Sequence, residues 1–478
     1  MTKYKEKKCI VFVNPPISSQ ERYGKLRAGA NNLPPLGLCH LAAVTRENAF
    51  YTKIVDCVAL KLDYEDAISN IIYYNPKFIG ITAATISIFN AAILAEKIKG
   101  KDKSIVIIIG GPHITAVPEE TMLKFPQFDV GVIGEGEVTI IDLLKTYNDG
   151  GKLEKVKGIV YREDGEIKKT NPREVIRNLD SLPMPAWDLL PNLPRYYRSS
   201  AQNIKTIPSS SIVTSRGCPG KCIFCDRKVF GNYCRAFSAD YVIKIFRKLH
   251  HEYGIRDIQI KDDTFTTFKN RLMDICKTLI QGDLNISWSC LARVDHVNPE
   301  MLELMRKAGC WQIQYGIESG VQQIIDVYKK GINLQQVQQA IKWTKKSGIT
   351  SLGFFMIGSP LETEQTIRET IDFAKRLDLD DFRLSFLTPF PGSELYDAAS
   401  KYGTFEKDWR RLCEYKVNFV PNGLKKELME KYYRKAYIQF YYRPKIVLSY
   451  LRRMRNLDVI IENLKVAYSV LKNFIFGR

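Results

Sequence analysis

"SRGCPGKCIFCDRKVFGNYC", residues 215–234, places Cys218, Cys222 and Cys225 on one polar loop with three and two residues between them. The chain has 11 cysteines, and the rest are scattered. Three thiolates at this spacing can bind three irons of a [4Fe–4S] cluster and leave the fourth iron open. Structural zinc is the alternative, but zinc takes four ligands, and after Cys234 no CxxC or HxxxH partner follows. The loop therefore predicts an iron–sulfur cluster with one open iron.

The cysteine loop follows the first of six strand-like runs that alternate with helical stretches, among them residues 238–254 and 333–348. Alternation of this kind predicts a parallel sheet, here a partial (β/α)6 barrel over residues 205–400, with its chemistry on loops at the carboxyl ends of the strands. The six predicted strands are "SSIVTS" (210–215), "DIQIKDD" (257–263), "ISWSCLAR" (286–293), "WQIQYGIES" (311–319), "TSLGFFMIG" (350–358) and "DFRLSFLTPF" (381–390).

The first part of the chain, residues 1–148, has a second alternating pattern, which predicts an α/β domain with a doubly wound parallel sheet. Ligands of such sheets bind outside the carboxyl ends of the strands. Glycines at those ends let a backbone approach a ligand closely, although turn glycines are also common without any ligand. The predicted strands are "CIVFV" (9–13), "KIVDCV" (53–58), "FIGIT" (78–82), "SIVIIIGG" (104–111) and "VGVIG" (130–134).

Two further regions complete the predicted organisation. Residues 149–204 are predicted as a linker that contains a hairpin turning at Asp164-Gly165, followed by a Pro-rich strap at 179–191. Residues 401–478 are predicted as a basic helical C-terminal region. The fold class is thus α/β, with a sheet domain, a partial barrel and a helical C-terminal segment.

Charge and hydropathy bear on localisation and partners. The charged start "MTKYKEKK" and the lack of an apolar stretch of membrane-spanning length predict a cytoplasmic protein. The net charge is +19, and residues 422–478 hold 13 Lys and Arg against 4 Asp and Glu, interleaved with aromatics. A basic amphipathic segment such as 459–478 suits peripheral contact with an anionic membrane, whereas a helical lid on the barrel is the alternative. Nucleic acid is disfavoured because no binding motif accompanies the charge.

"CPGKCIFC" resembles the CxxxCxΦC signature of radical S-adenosylmethionine enzymes, with Phe224 as the aromatic residue. "KDDTFT" (261–266), "GIESG" (316–320), "FFMIGSPLET" (354–363) and "LTPFPGSELY" (387–396) resemble later strands of that family. The resemblance implies a [4Fe–4S] cluster and S-adenosylmethionine as cofactors. It further implies cluster ligation by the three cysteines and S-adenosylmethionine contacts from Phe224, Asp262, Asp263, Arg293 and Glu318.

The order of the domains resembles the cobalamin-binding subfamily, typified by anaerobic Mg-protoporphyrin cyclase and the hopanoid methylases. "NNLPPLGLCHLAA" (31–43), "GGPHIT" (110–115), "GEGE" (134–137) and "LPMPAWDLL" (182–190) carry this similarity. It implies cobalamin as a cofactor. The first strand is followed by "NPPISS" (14–19), without the His of D-x-H-x-x-G, so cobalamin would bind with no protein nitrogen on cobalt, or the domain would serve the substrate instead. The residues expected near cobalamin are Thr82, Gly110, Gly111, Gly134 and Glu135.

The function implied by this resemblance is radical chemistry through a 5′-deoxyadenosyl radical, with cobalamin-dependent C-methylation of an unactivated carbon. Cobalamin-independent cyclisation or rearrangement is the enzymatic alternative, and a zinc-stabilised membrane- or RNA-binding module is the non-enzymatic one. A methylthiotransferase is disfavoured because Cys9, Cys39 and Cys57 do not cluster on loops. The expected partners are a small-molecule substrate, such as a lipid or a tetrapyrrole, and an electron donor such as flavodoxin or ferredoxin.

Overall fold

The computed structural model describes residues 8–24, 31–282 and 284–453. The chain forms two compact units. Of the described residues, the first unit comprises 8–22, 34–196 and 226–235, and the second comprises 23–24, 31–33, 197–225, 236–282 and 284–453. The segment Asp226–Arg235, which directly follows the three-cysteine motif, therefore belongs to the first unit.

The first unit is built on a seven-stranded sheet in the order β2-β1-β3-β4-β5-β6-β7. Strands β1 to β5 are parallel, and their nearly continuous apolar runs are buried because helices cover both faces of such a sheet. The strands are Cys9–Asn14, Tyr51–Asp56, Phe78–Thr82, Val106–Gly110, Val130–Val132, Ile159–Glu163 and Glu166–Lys169 for β1 to β7. The helices are Ser19–Tyr23, Leu36–Glu47, Cys57–Leu60, Tyr64–Ile72, Ile88–Lys101, Pro112–Ala116, Pro118–Lys124, Gly136–Asp149 and Leu193–Tyr196 for α1 to α9.

The hairpin expected at Asp164-Gly165 is confirmed. Strands β6 and β7 are antiparallel, Glu163 pairs with Glu166, and both turn residues have positive φ values, 51° for Asp164 and 82° for Gly165. Strand β6 also pairs antiparallel with β5. The hairpin, which the sequence analysis placed in a linker, therefore extends the sheet of the first unit.

The second unit holds six parallel strands in the order β15-β14-β13-β12-β11-β8, which confirms the predicted partial barrel. The remaining strands of the chain, β8 to β17, are Ser209–Ile212, Ser215–Arg216, Arg235–Ala236, Asp257–Ile260, Ser287–Ala292, Cys310–Glu318, Thr350–Ile357, Asp381–Phe386, Gly403–Phe405 and Phe419–Pro421. The six-stranded sheet contains β8 and β11 to β15, whereas β9 pairs with β10 and β16 pairs with β17. The helices are Ala239–Tyr253, Lys269–Gln281, Pro299–Lys307, Gln322–Val327, Leu334–Lys346, Glu364–Arg376, Glu394–Tyr402, Lys426–Tyr441 and Pro444–Arg453 for α10 to α18.

Side-chain alternation decides which residues of this sheet face its inner side. Residues two apart on a strand share a face, and parallel neighbours in register point the same way. Gln259 of β11 is in register with Ser289 of β12, which is in register with Gln312 of β13. On the opposite face, Phe355 and Phe382 pack together, and Phe382 stacks on Phe440 of α17. The polar rows therefore line the inner face of the barrel.

The basic C-terminal region begins as a packed element. Helix α17 buries Met429, Tyr433 and Phe440, and Tyr441 donates a hydrogen bond to Asp381 of β15 at 2.5 Å. The predicted amphipathic segment 459–478 lies outside the described residues. Within those residues, no helix combines the length and the apolar character needed to cross a bilayer.

Candidate active site

The three-cysteine loop is anchored by its backbone in the second unit. The N–H of Ile223 donates to the carbonyl of Tyr328 at 3.1 Å, and the N–H of Leu395 donates to the carbonyl of Ile223 at 2.9 Å. Ile223 also packs in a buried cluster with Tyr328 and Leu395. One residue between two of the cysteines is thus fixed on both sides, which holds the loop at the mouth of the barrel.

The thiols lie close together around a glycine. A Cβ added to Gly220 would lie 3.3 Å from the Sγ of Cys218 and 3.9 Å from that of Cys222. A hydrogen bond from Cys225 lowers the pKa of Cys222 to about 6, aided by the positive charges of Lys330 and Arg293, and the shared proton raises the pKa of Cys225.

Three soft thiolate donors around an open glycine, beside two cations that stabilise negative charge, suit a cluster that takes Cys ligands and leaves one iron free. Among the described residues, no three His, Cys, Asp or Glu side chains converge to hold a single metal ion. The donor set therefore fits the predicted cluster, and the assignment of its three ligands remains a prediction from the motif.

The two adjacent aspartates after β11 have different environments. Asp262 is buried, and its two oxygens accept hydrogen bonds from the N–H and the hydroxyl of Thr214 and from the Ser215 hydroxyl. Burial raises its pKa. Asp263 is exposed, and its charge acts on the thiol of Cys218. Asp262 therefore links the end of β11 to Thr214 and Ser215, which follow β8. Asp263 instead lies beside the cysteine loop, and its side chain is exposed.

Arg293 extends from the end of β12 toward the same loop. Its guanidinium donates to both carboxylate oxygens of Asp295 at 2.9 Å and to the carbonyl of Lys330 at 3.0 Å. Its Nη1 atom lies 3.7 Å from the position of a Cβ on Gly220. The bidentate pair holds the plane of the guanidinium, so that the remaining nitrogen is presented to the glycine between the cysteines.

Glu318, at the end of β13, forms an ion pair with Lys330 at 2.8 Å, with side chains that are 10% and 9% exposed. Burial acts to lower the pKa of Lys330, but the Glu318 carboxylate opposes it and the net shift is upward. A Cβ on Gly316 would lie 2.5 Å from a Glu318 oxygen and 3.0 Å from the Lys330 nitrogen. The glycine of "GIESG" is therefore required for this ion pair to lie against the strand.

Phe224, just before the last cysteine, packs edge-on against Tyr328, with ring centroids 5.1 Å apart. Its ring lies against the buried cluster that fixes Ile223. In this position the aromatic residue of the signature helps to hold the cysteine loop, and its predicted contact with S-adenosylmethionine remains a prediction.

In the first unit, the ends of β3 and β4 form a close backbone contact. Gly111 has φ +102°, and a Cβ there would lie 2.9 Å from both the Ala83 carbonyl oxygen and the Thr82 hydroxyl oxygen. A Cβ on Gly110 would meet no atom within 4 Å. Gly111 is needed for the approach of the two strands, whereas Gly110 leaves open space at the carboxyl edge of the sheet. This open edge fits a flat ligand, which supports the predicted cobalamin contacts here.

Gly134 and Glu135 follow β5. Gly134 has φ +77°, and its N–H donates to Thr115 at 3.0 Å. The Glu135 carboxylate forms a buried ion pair with Arg235 at 2.8 Å and accepts a hydrogen bond from the N–H of Ile176 at 2.8 Å. The Glu135 carboxylate thus has hydrogen-bond partners within the protein, and its predicted contact with cobalamin remains a prediction.

The histidines of this unit are buried. His113 lies 3.1 Å from the Thr85 hydroxyl through Nδ1, and burial lowers its pKa to about 3, so that its ring is neutral. His40 is also buried, on α2. Both side chains are therefore enclosed by the interior of the first unit.

Sequence reasoning missed two residues of these sites. Lys330 lies beyond the quoted motif, 12 residues after Glu318, and nothing local in the sequence indicates that the two form a pair. Arg235 directly follows Cys234, the last residue of the quoted stretch, but nothing in the sequence indicates that Glu135 is its partner, since 100 residues separate them.

Two family models match the chain, the B12 binding domain over residues 26–144 and the radical SAM superfamily over residues 212–374. An uncharacterised methyltransferase of Pyrococcus horikoshii is 36% identical over 442 residues, which cover 92% of this chain and 94% of the relative. The anaerobic magnesium-protoporphyrin IX monomethyl ester cyclase of Rubrivivax gelatinosus is 27% identical over 410 residues, covering 84% of this chain and 72% of the relative.

Solved structures share the fold. The cobalamin-dependent S-adenosylmethionine radical enzyme OxsB, with aqua-cobalamin and S-adenosylmethionine bound, has a TM-score of 0.76 at 19% identity and covers 99% of this chain and 72% of its own. The radical S-adenosylmethionine methyltransferase TsrM of Kitasatospora setae, with cobalamin and a [4Fe–4S] cluster, has a TM-score of 0.67 at 16% identity and covers 83% of this chain and 75% of its own.

A B12-binding domain followed by a radical barrel with a three-cysteine loop defines one class of enzyme. The chain belongs to the family of cobalamin-binding radical S-adenosylmethionine enzymes. The predicted fold class, the cofactor set of [4Fe–4S] cluster, S-adenosylmethionine and cobalamin, and the methyltransferase-like enzyme type are confirmed at the level of this family. A small-molecule substrate is consistent with it.

Proposed function

We propose that this chain methylates a carbon atom of a small-molecule substrate. The observation that supports this proposal is the joint presence of a cobalamin-type sheet with an open edge at Gly110 and a cysteine loop flanked by cations. When bound, the cluster with S-adenosylmethionine supplies a 5′-deoxyadenosyl radical, and cobalamin supplies the methyl group. The 36% identical methyltransferase favours methyl transfer over cyclisation.

The residues of the second unit have distinct proposed roles. Asp263 is proposed to accept a hydrogen bond from the amino group of S-adenosylmethionine, because its carboxylate is exposed beside the loop whereas that of Asp262 is bonded within the protein. Arg293 and the Glu318–Lys330 pair are proposed to bind polar groups of the same cofactor.

The test uses anaerobically purified, cluster-reconstituted protein with dithionite, S-adenosylmethionine and hydroxocobalamin. Bound cobalamin is measured from its visible spectrum, and 5′-deoxyadenosine and S-adenosylhomocysteine are measured by chromatography. We expect both nucleosides and about one cobalamin per chain. Nucleoside without cobalamin would favour a radical cyclisation or rearrangement, and zinc without either product would contradict the enzyme.

Two cysteine variants sharpen this test. Cys222→Ala is expected to lose one iron ligand and to reduce 5′-deoxyadenosine to the level of a protein-free reaction. Cys234→Ala, on the same quoted loop, is the matched control, and we expect it to keep the iron content and the activity. Equal loss in both variants would support a four-cysteine metal site instead.

The natural electron donor is proposed to be a flavodoxin or a ferredoxin, which dithionite replaces in the test.

Peripheral contact with a membrane is also proposed. It is supported by the apolar side chains of Ile438, Tyr442, Val447 and Leu448, which are 40% to 59% exposed and lie among basic residues. Deleting the basic segment from residue 422 onward would expose the hydrophobic core, because Phe440 and Tyr441 pack on the barrel. The double variant Val447→Ser with Leu448→Ser therefore tests membrane contact without disturbing that packing. Equal retention of this variant and the wild type on anionic liposomes would contradict the contact.

A further inference from the structure

The inner face of the six-stranded sheet is closed toward the amino ends of its strands. Gln259 of β11 and Gln312 of β13 are buried there. The backbone of residues 202–203 lies against them, because Gln312 donates through Nε2 to the carbonyl of Gln202 at 3.0 Å and Gln259 donates to the carbonyl of Asn203. The protein itself therefore fills this half of the inner face.

Toward the carboxyl ends of the strands, the inner face is open. Phe354 and Met356 alternate on β14 with Phe355, whose ring packs on the outer face, so both lie on the inner face. Arg383 of β15 is in register with Phe354 and lies on the same face. These three inward side chains are only half-buried, although α17 covers the outer face of the sheet. Their exposed surface therefore borders an open space inside the barrel.

This open level of the sheet lies beside the cysteine loop. Met356 packs against the buried cluster that anchors that loop. Phe354 is two residues before Met356 on the same strand, which places the two side chains about 7 Å apart. On its other side, Phe354 is in register with Gly316, against which the Glu318–Lys330 ion pair lies. Phe354 is therefore close to the groups that are proposed to bind S-adenosylmethionine.

The guanidinium of Arg383 is held in a fixed direction beside the Phe354 ring. It donates through Nη2 to the Ser200 hydroxyl at 2.9 Å and through Nε and Nη2 to Oε1 of Gln202 at 3.3 Å. Gln202 is held in turn by Tyr441, to whose hydroxyl its Nε2 donates at 3.1 Å. The guanidinium lies 5.9 Å from the centroid of the Phe354 ring. Among the described residues, its hydrogen bonds use Nε and Nη2, which leaves Nη1 for a further acceptor.

The direction of hydrogen bonding, and not net charge, decides what can bind at this position, because the inner face also carries carboxylates. Asp381, two residues before Arg383, accepts hydrogen bonds from Tyr441 and from the N–H of Phe382. A guanidinium nitrogen can only donate, so the group that meets Nη1 of Arg383 must be an acceptor oxygen or nitrogen. The adjacent Phe354 ring offers a flat apolar surface. The two side chains together suit a ligand that combines an apolar face with a neighbouring acceptor.

We propose that Phe354 and Arg383 bind the methyl acceptor, with a flat apolar part of the substrate on the Phe354 ring and a substrate oxygen accepting a hydrogen bond from Nη1 of Arg383. This inference rests on the proposed function, since it names the substrate class and two specificity-determining residues of that enzyme. The substrate class is an oxygen-bearing compound with a flat apolar carbon skeleton. Gln202 is a positioning residue, because it acts through the guanidinium that it orients.

The test measures the binding of three small probes to the reconstituted holoenzyme loaded with S-adenosylmethionine and hydroxocobalamin. Acetophenone has both a flat ring and a carbonyl oxygen, ethylbenzene has the ring alone, and acetone has the carbonyl alone. Saturation-transfer NMR titrations give the three dissociation constants. We expect acetophenone to bind the wild type about tenfold more tightly than either of the other two probes.

Three variants assign this preference to the two side chains. Arg383→Met and Arg383→Lys should bind acetophenone no more tightly than ethylbenzene, because neither presents the planar donor group, although the lysine keeps the charge. Phe354→Leu should weaken both ring-containing probes by about threefold or more and leave acetone unchanged. The matched controls are Arg376→Gln and Tyr402→Leu, which change exposed side chains on α15 and α16 and should keep the preference. Iron content and the thermal midpoint are measured for every variant, so that a loss of folding is recognised.

Three results would overturn the proposal. The first is equal affinity of the wild type for acetophenone and ethylbenzene, or no measurable binding of either. The second is a preference for acetophenone that survives in either Arg383 variant or is lost equally in the controls. The third is a loss of S-adenosylmethionine affinity in Phe354→Leu or Arg383→Met, because these side chains would then belong to the cofactor site.

The failure of this proposal is separable from failure of the proposed function. The same wild-type preparation is assayed for 5′-deoxyadenosine and S-adenosylhomocysteine. Both products without a preference for acetophenone overturn the roles of Phe354 and Arg383 and leave the methylating enzyme. A preference for acetophenone that depends on Arg383, without either product, supports the binding residues and contradicts the proposed function.

Discussion

The Arg235 guanidinium and the Glu135 carboxylate form an ion pair of 2.8 Å whose side chains are only 2% and 4% exposed. The same guanidinium donates to the carbonyl groups of Ile176 and Phe230. A buried charge is tolerated only when it is paired and its hydrogen bonds are made. The pair therefore holds the segment that follows the cysteine motif within the first unit.

Breaking this pair on one side is expected to be costly. Arg235→Met should leave the Glu135 carboxylate buried without its partner and lower the free energy of unfolding of the first unit by about 3 kcal/mol. The double variant with Glu135→Gln should recover part of the loss, measured by urea denaturation. A cobalamin affinity that falls in Glu135→Gln without any loss of stability would show instead that this residue contacts the cofactor.

Gly316 offers a variant that disturbs the Glu318–Lys330 pair without changing either charged residue. In Gly316→Ala, the added methyl group would lie 2.5 Å from the Glu318 oxygen, so the pair must move. We expect weaker S-adenosylmethionine binding, by about tenfold if one charge-assisted hydrogen bond is lost, measured by equilibrium dialysis. Gly37→Ala is the control, because a Cβ there meets nothing within 4 Å. Equal affinity in both variants would separate the pair from cofactor binding.

Strand placement was predictable because the local signals and the tertiary structure agree. The six barrel strands and the five parallel strands of the first unit all lie within their predicted ranges or extend them by no more than two residues. Buried parallel strands read as apolar runs bounded by turn residues, and that pattern is local. The Asp164-Gly165 turn was predictable for the same reason, since its backbone requires positive φ at both positions.

Long-range partners were not predictable. Nothing local in the sequence indicates that Arg235 meets Glu135, that Lys330 meets Glu318, or that the 159–169 hairpin continues a sheet. The distinction between Asp262 and Asp263 could have been made, because alternation places Asp263 on the same face as Gln259 and Lys261.

The two aspartates after β11 should respond differently to the same substitution. Asp263→Asn should weaken S-adenosylmethionine binding and leave the thermal midpoint within about 1 °C, since its carboxylate is exposed. Asp262→Asn should lower the thermal midpoint by several degrees, because the amide cannot accept all the hydrogen bonds that Thr214 and Ser215 donate. Calorimetric binding and scanning fluorimetry on both variants check this. A reversed pattern would assign the cofactor contact to Asp262.

Glu362, in the loop after β14, predicts a pH dependence of stability. Its Oε2 accepts hydrogen bonds from the N–H groups of Gly358 and Ser359, while Oε1 is buried without a partner, and burial raises its pKa to about 7. A folded-state pKa above the unfolded value means that the folded protein holds the proton more tightly. The stabilisation of the fold by the protonated Glu362 side chain is therefore fully present at pH values below the unfolded pKa near 4.5. It is lost as the pH rises through the folded-state pKa of about 7.

Glu362→Gln is expected to remove this part of the pH dependence, since its amide oxygen can accept the same two N–H groups without ionising. As the pH rises from 5 to 8, the free energy of unfolding of the variant should increase by about 3 kcal/mol relative to that of the wild type, because only the wild type loses the contribution of Glu362. Denaturation at both pH values measures the difference. Asp372→Asn on the outer helix α15 is the control, and parallel pH profiles for wild type and Glu362→Gln would contradict the assignment.

The Gly110→Ala variant tests whether cobalamin binds at the carboxyl edge of the first sheet, because it should change cobalamin affinity without changing protein stability. A Cβ on Gly110 meets no protein atom within 4 Å, and its φ is not positive, so the fold should tolerate alanine. A cofactor that lies flat on this edge would meet the new methyl group, and we expect cobalamin affinity to fall about tenfold or more with an unchanged thermal midpoint. Gly111→Ala should lower both, because its Cβ meets the Ala83 carbonyl at 2.9 Å. Gly100→Ala, also free of neighbours within 4 Å, should change neither. Cobalamin titrations followed in the visible spectrum decide between these outcomes, and full affinity in Gly110→Ala would place the cofactor away from β4.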